Sequence, residues 1–398
     1  MVTMATLVLG LLAVPVVAAC AYLLVLTVAS SRTAPPSAGA PRTRFDVIVP
    51  AHDEEAGIAA TVRSLLAVEY PESLRRVVVV ADNCTDGTAE RARQAGATVL
   101  ERQDATRRGK GYALDHAFQW SLAAGRADAL VVVDADTDVS PNLLRAFAAR
   151  VEGGAPAVQA AYGVRNPDDS WRTRLMAVAL ALVNTLRSLG RERLRLSVGL
   201  KGNGMCFSAA VLREVPHHAF SIVEDLEYGI RLGRAGHRVH FAAEARVLGD
   251  MAAGGEAAAI QRRRWEGGRK LLVKEQGWPL LRAGLARRDP VLVDLALDLL
   301  VPPLASVAVA ALAGAALSLA LSWMAGRVVA PAWAFLGGLA AIVAYVARGW
   351  WISGTGLRGL AGLLAAPAYV AWKLVLAFRS RGAGRQAWVR TPRDGGAR

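Results

Sequence analysis

The stretch ALVVVDADTDV (residues 129–139) joins a short apolar run to acidic residues that follow it at alternate positions. A β-branched apolar run of this length is typical of a strand buried on both faces of a parallel sheet, and we predict a strand over residues 129–136. Similar runs occur at residues 45–51 (FDVIVPA), 76–82 (RVVVVAD) and 98–102 (TVLER). Segments with helical periodicity separate them. The alternation predicts an α/β domain with a Rossmann-like, mostly parallel sheet covered by helices.

Polar side chains that directly follow these strands are the first candidates for a binding site. In parallel sheets, ligands bind beyond the carboxyl ends of the strands, and Asp82, Asp134 and Asp136 fall at such ends. Two carboxylates at positions i and i+2 can converge on Mg²⁺ or Mn²⁺, which the phosphates of a substrate then share. A simple turn explains the Asp-x-Asp pattern equally well.

Lys110 lies between two glycines ahead of a predicted helix, in the stretch RRGKGYALDHA. Glycine lets a backbone approach a ligand closely, and an ammonium group can bind a phosphate. The sequence does not contain the G-x-x-x-x-G-K-[ST] pattern, so P-loop chemistry is not supported. A flexible surface loop is the alternative interpretation of this stretch.

The composition is that of a membrane protein. The chain has 398 residues, of which 54% are hydrophobic and 20% charged, with a formal net charge of +14. Residues 1–44 carry +3, residues 261–300 carry +4 and residues 301–398 carry +9, while residues 45–260 carry −2. Lys and Arg beside apolar segments are typical of membrane proteins, so we predict no nucleic-acid partner. Three scattered cysteines predict no disulfide framework.

Apolar segments occur at both ends of the chain. Residues 1–31 contain no Asp, Glu, Lys, Arg or His and are long enough to span a bilayer. The first positive charges follow this segment, which predicts an N-terminal transmembrane anchor, with its C-terminal end in the cytosol, rather than a cleaved signal peptide. A second membrane region is predicted over residues 304–378, with spans at residues 304–324 and 328–346.

The third C-terminal apolar stretch, residues 357–378, contains Pro367 and Lys373. If it spans the membrane, the six arginines of the tail (residues 379–398) lie outside, against the positive-inside rule. We therefore predict an interfacial or re-entrant helix and a basic cytosolic tail, with a full span as the alternative.

Residues 286–300 are predicted to form an amphipathic helix in the membrane interface, because Asp294 and Asp298 lie four residues apart among Val and Leu. Packing of this helix against another part of the protein is the alternative. The α/β domain, residues 44–277, is thereby predicted to be inserted between membrane segments.

Seven motifs, taken in chain order, resemble glycosyltransferase family 2. The resemblance extends over about residues 44–270 and is closest to the membrane-embedded branch that contains cellulose, hyaluronan and poly-N-acetylglucosamine synthases. Asp53 stands where this family usually has Asn. The motifs are VIVPAHDEE (47–55), ADNCTDGT (81–88), GKGYALDHA (109–117), DADTDV (134–139), GNGMCF (202–207), VEDLEYGIRLGRAGHRV (223–239) and QRRRW (261–265).

The resemblance implies a GT-A fold for the cytosolic domain and a nucleotide-sugar donor, most often a UDP-sugar. Carried over by motif, Glu54 and Asp82 would hold uracil and ribose, and Lys110 would lie near the nucleotide. Asp134 and Asp136 would hold Mg²⁺ or Mn²⁺ on the donor diphosphate, so that Asp134 also belongs to the donor site.

The same resemblance assigns Asp225 as the general base for the acceptor hydroxyl. One base without a second catalytic carboxylate predicts inversion by a single displacement, from an α-linked donor to a β-linked product. The acceptor and diphosphate side of the cleft would be formed by Gly202, Asn203, Gly204, Glu224, Gln261, Arg264 and Trp265.

The first predicted function is a metal-dependent hexosyltransferase that extends a β-linked polysaccharide of the cell envelope and passes it through its own helices. The alternative is transfer of one sugar to a membrane lipid such as a diacylglycerol, a ceramide or a polyprenyl phosphate. The small number of spans favours this alternative, because a polymer channel needs enough helices to enclose it. A non-enzymatic scaffold is disfavoured, since no expected carboxylate is missing. The predicted location is a bacterial-type cell membrane, with the catalytic domain in the cytosol.

Overall fold

The computed structural model describes residues 2–37, 39–251 and 267–365. The centre of the α/β domain is an eight-stranded sheet. Its strands are β1 Phe45–Ala51, β2 Arg75–Asp82, β3 Thr98–Arg102, β4 Ala129–Val132, β5 Thr137–Val139, β6 Ala157–Val164, β7 Met205–Ser208 and β8 Val239–Gly249. In space, their order is β3-β2-β1-β4-β7-β6-β8-β5.

The helices lie around this sheet and at the two ends of the chain. The first nine are α1 Val2–Ala29, α2 Ile58–Leu66, α3 Thr88–Gln94, α4 Lys110–Ala124, α5 Leu143–Val151, α6 Trp171–Leu180, α7 Arg187–Arg193, α8 Ala209–Glu214 and α9 Glu224–Arg234. The C-terminal five are α10 Trp278–Arg287, α11 Pro290–Leu300, α12 Leu304–Ala325, α13 Ala330–Ser353 and α14 Gly356–Leu363. Short helical turns occur at Glu72–Leu74, Ala181–Leu186 and Val273–Gly277.

The strands are apolar throughout because both faces of the sheet are covered. Val47 and Val49 of β1 pack into a core with α2 and α5, whereas Ile48 between them packs into a core with α4 and α9 on the other face. Strands β1, β2, β3 and β4 are mutually parallel, so that the carboxyl ends of β1, β2 and β4 meet at one edge. The predicted strands at residues 45–51, 76–82 and 98–102 are confirmed.

The strand predicted over residues 129–136 is wrong beyond Val132, where β4 ends. The chain turns at Asp134 and then forms β5, which pairs antiparallel with β8. The turn forms because the Asp134 backbone N–H donates to the Asn203 Oδ1 atom at 3.2 Å instead of to a neighbouring strand. An aspartate pair beyond the apolar run therefore marks a bend between two strands.

Among the described residues, three helices, α1, α12 and α13, are long and apolar enough to cross a membrane. They pack against each other through small side chains, and Ala19 and Cys20 of α1, Ala311 of α12 and Ala341 of α13 are buried in a shared cluster. Large apolar side chains are exposed on the outer faces of these helices, as expected for contact with lipid. Helix α12 matches the predicted span 304–324 to within one residue, whereas α13 begins two residues later and ends seven residues later than the predicted span 328–346.

Helix α11 packs against the rest of the protein on two sides. For residues 286–300, such packing was the predicted alternative to a helix in the membrane interface. Leu292 and Leu295 lie in a buried cluster with residues of α9 and α10. Asp294 and Asp298 face α7, where Arg191 lies 2.9 Å from the Asp294 carboxylate and 2.7 Å from that of Asp298. The acidic face of the helix is thus neutralised by the protein.

Helix α14 covers only the start of the predicted third apolar stretch. Arg358 of this helix lies 3.8 Å from Asp168 of the α/β domain, and a Cβ atom at Gly362 would contact Arg174 at 3.7 Å. The stretch therefore begins beside the α/β domain. The rest of residues 357–378 and the basic tail, residues 379–398, lie outside the described residues.

Candidate active site

Lys110, the first residue of α4, lies at the centre of the candidate site. Its Nζ atom donates to the Asp134 carboxylate at 2.5 Å and to the Gly202 carbonyl, and it lies 3.7 Å from the Glu224 carboxylate. Burial lowers the pKa of Lys110, but Asp134 and Glu224 raise it by more, so the pKa lies above the ordinary value. One ammonium group therefore joins the ends of β4 and α9 and the glycine-rich segment.

The start of α4 is held against the segment that leads into α9. Gly109 has φ +119°, a conformation that favours glycine. A Cβ atom at Gly111 would overlap the Ala219 carbonyl oxygen. The Tyr112 ring stacks on the Phe220 ring with centroids 4.3 Å apart. The positive φ at Gly109 and the close packing at Gly111 explain why glycines flank Lys110. The same packing fixes α4 relative to the residues that precede Glu224.

Glu224 and Asp225 begin α9 and face Lys110 and Gly202. Burial raises the pKa of Glu224 to about 7, an effect that Lys110 opposes and Asp225 adds to. Burial also raises the pKa of Asp225. Gly202 has φ +77°, and a Cβ atom there would lie 3.4 Å from the Asp225 Oδ2 atom. A carboxylate with a raised pKa is a stronger base, which suits proton removal from a hydroxyl group.

Asn203 spans the acidic turn at the end of β4. It accepts a hydrogen bond from the Asp134 backbone N–H at 3.2 Å and donates to the Thr137 Oγ1 atom at 2.8 Å. Asp134 and Asp136 are half-buried, whereas Ala135 between them is buried. The predicted acceptor-side residue Asn203 therefore lies behind the two predicted cation ligands and supports their turn.

The chemistry of this site fits a divalent cation. The site contains four carboxylates, those of Asp134, Asp136, Glu224 and Asp225. Their charges shift the pKa values of Lys110, Tyr162 and Glu224, and the ammonium group of Lys110 lies among them. Carboxylate oxygens are the ligands that Mg²⁺ and Mn²⁺ prefer. Asp134 and Asp136 are the pair that a cation would bind, because both lie on the turn that Asn203 holds.

The two residues predicted to hold uracil and ribose lie at neighbouring strand ends. Asp82 ends β2, and its carboxylate accepts hydrogen bonds from Arg102 at 2.5 Å and from Asn83 at 3.1 Å. Glu54 follows β1, and its backbone N–H donates to the Thr88 Oγ1 atom at 2.7 Å. The structure places Asp82 and Glu54 on the same edge of the sheet as Lys110, with the Asp82 carboxylate held by Arg102.

Asp53 fits the turn in which the family usually has Asn. Its φ is +53°, in the left-handed region that Asp and Asn tolerate, and its carboxylate accepts from the Thr85 backbone N–H at 2.7 Å. Within the described residues, Asp53, Cys84 and Asp86 bring ligand atoms within 4.8 Å of one another. Burial raises the pKa of the Cys84 thiol, which makes the thiol a poor cation ligand, so these contacts stabilise the loop.

Three residues of the site region were not predicted from the sequence. Arg102 holds Asp82, and its guanidinium lies 6.0 Å from the Tyr112 ring. Burial and the carboxylates of Asp134 and Asp136 raise the pKa of Tyr162, which forms a hydrogen bond with Asn203. Lys201 immediately precedes Gly202. These residues come from a strand edge, a strand interior and a loop, and no local motif distinguishes them.

The Q-x-x-R-W residues Gln261, Arg264 and Trp265 lie outside the described residues. Gly204 has φ +67°, and a Cβ atom there would lie 2.7 Å from Val247. Among the described residues, the structure thus brings Lys110, Asp134, Gly202, Asn203, Glu224 and Asp225 into one site.

Comparison with known proteins identifies the family. A family model described as glycosyltransferase like family 2 matches residues 41–268, more than half of the chain. The 4,4'-diaponeurosporenoate glycosyltransferase of Staphylococcus aureus is 32% identical over 118 residues, 28% of this chain and 30% of its own. A probable glycosyltransferase of Bacillus subtilis, YdaM, is 22% identical over 209 residues, 50% of this chain and 48% of its own. The matched parts thus span less than half of either relative.

A solved structure shares the fold. The mannosyltransferase PcManGT from Pyrobaculum calidifontis, in complex with GDP-Man and Mn²⁺, is 18% identical and superposes with a TM-score of 0.51, covering 92% of this chain and 98% of its own. The chain belongs to the glycosyltransferase-like family 2. The predicted fold, a GT-A domain combined with apolar helices at both ends of the chain, is confirmed. Membership of the polysaccharide synthase branch remains a prediction.

Proposed function

We propose that this enzyme transfers one sugar from a nucleotide sugar, such as a UDP-sugar, to a hydroxyl group of a membrane lipid. Transfer inverts the anomeric carbon and takes place at the cytosolic face of a bacterial-type cell membrane. The observation that carries this proposal is that a closely packed helix bundle, rather than an open one, adjoins the candidate site.

The bundle is filled where its three helices meet. A Cβ atom at Gly314 of α12 would overlap the Phe335 ring of α13, and Ala13 of α1 is buried in the same cluster. A Cβ atom at Gly338 would lie 3.3 Å from the Cys20 sulfur atom. Contacts this close leave no passage for a polysaccharide between α1, α12 and α13, which are the candidate spans among the described residues. This packing supports an acceptor that stays in the membrane.

The candidate base lies close to the point where the chain enters the bundle. Asp225 begins α9, and Ile230 of the same helix packs in a buried cluster with Leu295 of α11. Helix α11 ends at Leu300, and α12 begins at Leu304. An acceptor headgroup at the membrane surface would thus need to extend only past α11 to meet Asp225.

In the proposed reaction, the acceptor hydroxyl attacks the anomeric carbon as Asp225 takes its proton. The new carbon–oxygen bond forms as the bond to the donor phosphate breaks, and the nucleoside diphosphate leaves. Lys110 exchanges its bond with Asp134 for a phosphate oxygen, which places positive charge where negative charge develops. Glu224 and the Gly202 carbonyl hold Lys110 at the required place.

Asp134 and Asp136 would hold Mg²⁺ or Mn²⁺, which neutralises the charge of a departing diphosphate when it is bound. The family to which the chain belongs and the fold shared with an enzyme that was solved with GDP-Man and Mn²⁺ support a nucleotide-sugar donor and a divalent cation. Transfer to a small acceptor is also in keeping with the name of the Staphylococcus aureus relative.

A product analysis tests the proposal. The purified protein is reconstituted in nanodiscs that contain bacterial membrane lipids, and a radiolabelled UDP-sugar and Mn²⁺ are added. We expect the label to enter the organic phase as a glycolipid that carries one sugar. Label that is retained as a high polymer would instead support the processive synthase predicted first. Absence of both products would refute transfer to either class of acceptor.

A further inference from the structure

A cavity lies beside the candidate base, on the side of the membrane helices. It contains about 410 Å³ of space that protein atoms do not fill, part of it open to solvent, and it is lined by the loop that precedes Gly202 together with α9 and α11. Its polar lining is contributed by Lys201, Arg269 and Asp298, and its apolar lining includes Leu226, Ile230 and Leu295. We call this space the Lys201 cavity.

Positive charge exceeds negative charge around the Lys201 cavity. Asp298 lies 2.7 Å from Arg191 and 3.0 Å from Arg187, and Asp294 lies 2.9 Å from Arg191. The two carboxylates are thus matched by the two arginines. No carboxylate among the described residues lies within 4.0 Å of the Lys201 Nζ atom, which leaves the charge of Lys201 without an ion-pair partner in this part of the chain.

The surroundings of Lys201 disfavour its charge. Burial lowers the pKa of Lys201 to about 8; Asp298 opposes this effect, and Arg191 and Arg187 add to it. A partly desolvated ammonium group beside other cations gains more from an anion than an exposed lysine does. A bound anion would therefore stabilise the charged form of Lys201.

The position of the cavity indicates which anion can enter it. Asp298 lies in the last turn of α11, a few residues before α12 begins at Leu304, so the cavity lies where the catalytic domain meets the membrane helices. Lys201 is joined directly to Gly202, where a Cβ atom would lie 3.4 Å from the Asp225 carboxylate. A headgroup entering from the membrane can therefore extend from the cavity to the base.

We propose that the Lys201 cavity binds the anionic group of the acceptor, so that the acceptor is a lipid whose headgroup carries a phosphate or similar anion a few atoms from the hydroxyl that receives the sugar. This inference rests on the proposed function. The hydroxyl faces Asp225, while the anion contacts the Lys201 ammonium. Neutral lipids of the same chain length leave that ammonium without an anion.

Acceptor kinetics test the inference. Bacterial membrane lipids are separated by anion exchange into anionic and neutral fractions, and each fraction is supplied in detergent micelles with a radiolabelled UDP-sugar. We expect glycolipid from the anionic fraction. Lys201→Met should raise the apparent KM for this fraction about tenfold or more, the effect of losing one charge-assisted hydrogen bond, and should leave the donor KM unchanged. Lys201→Arg should restore most of the acceptor affinity.

A matched control variant distinguishes loss of the Lys201 ammonium from loss of any nearby positive charge. Lys274→Met removes an exposed positive charge near the same helices and should change neither KM. Glycolipid from the neutral fraction alone, or an unchanged acceptor KM in Lys201→Met, would overturn the inference and leave the proposed function intact. A raised donor KM with an unchanged acceptor KM would assign the cavity to the donor diphosphate and overturn it as well. Absence of glycolipid from both fractions would refute the proposed function itself.

Discussion

The substitution Asp298→Asn tests the ion pairs that join α11 to α7. Asp298 lies 2.7 Å from Arg191 and 3.0 Å from Arg187, and the Arg191 side chain is only 1% exposed. Asparagine keeps the size of aspartate and one carbonyl oxygen but removes the charge. Arg191 would then keep only the Asp294 carboxylate, and Arg187 would lose the carboxylate that lies 3.0 Å from it.

The expected loss of stability is large. Removing one partner from a buried ion pair costs roughly 3–5 kcal/mol, because the remaining charge stays buried without compensation. Each kcal/mol lowers the melting temperature by about 2–4 °C for a domain of about 150–250 residues. We therefore expect the melting temperature of Asp298→Asn to fall by roughly 10 °C.

The pH dependence of stability should change as well. Burial raises the pKa of Asp298, but Arg191, Arg187 and Lys201 lower it by more, so the folded-state pKa lies below the ordinary value. A depressed carboxyl pKa stabilises the fold above the unfolded-state pKa of about 4, and this stabilisation is lost as the pH falls towards the folded-state value. Asp298→Asn should remove that part of the acid sensitivity.

Thermal unfolding of the protein in nanodiscs between pH 3 and 7 measures both effects. Asp128→Asn is the matched control, because Asp128 also pairs with an arginine, Arg44, at 2.8 Å but on the surface. Surface ion pairs contribute little, so this control should melt close to the wild type. The reasoning is refuted if Asp298→Asn and Asp128→Asn melt at the same temperature.

Three further predictions concern the candidate site. Gly111→Ala should lower turnover by on the order of 100-fold, because the added Cβ displaces α4 by about an ångström, whereas Gly337→Ala, where a Cβ would meet nothing within 4 Å, should be tolerated; an active Gly111→Ala would contradict this. Asp136→Asn should raise the Mn²⁺ concentration for half-maximal activity by at least about tenfold, and equal effects of Asp136→Asn and Asp138→Asn would contradict a specific ligand. Burial raises the pKa of Glu224 from 4.5 to about 7, so without divalent cations the unfolding free energy should fall as the pH rises through this range. Thermal unfolding of Glu224→Gln should lack this fall, and an unchanged pH dependence would contradict the shift.

The local sequence pattern was sufficient to predict the strands whose ends carry the candidate site. The apolar runs ending at Ala51 and Asp82 form strands because helices cover both faces of the sheet. The run that begins at Ala129 was predicted four residues too long. Its ending depends on a hydrogen bond between the Asp134 backbone and Asn203, 69 residues away in the chain, and no local pattern contains that partner.

The candidate site was predicted where its residues follow strands or begin helices within motifs. Lys110, Asp134 and Asp225 meet in the structure as their positions at strand and helix ends require. Tyr162 and Lys201 could not be predicted, because their environment is created by segments that are distant in the sequence. Motifs identify residues by type and spacing, whereas burial and charge surroundings depend on the folded chain.

The interface between the α/β domain and the apolar helices was predicted only in part. Asp294 and Asp298 were recognised as one face of a helix, but their partner, Arg191, lies about 100 residues earlier, in a helix without a recognised motif. A face that carries two carboxylates can meet water, lipid headgroups or arginines. Only the fold distinguishes these possibilities.

The base is the central element of the account, and the transfer activity of Asp225→Asn tests it most directly. With a radiolabelled UDP-sugar and lipid acceptor, we expect transfer to fall by at least about 100-fold, because general base catalysis is lost, while binding of the donor and Mn²⁺ stays close to that of the wild type. Glu227→Gln, in the same turn of α9, is the control and should remain active. Undiminished transfer by Asp225→Asn would contradict the assignment of this carboxylate as the base.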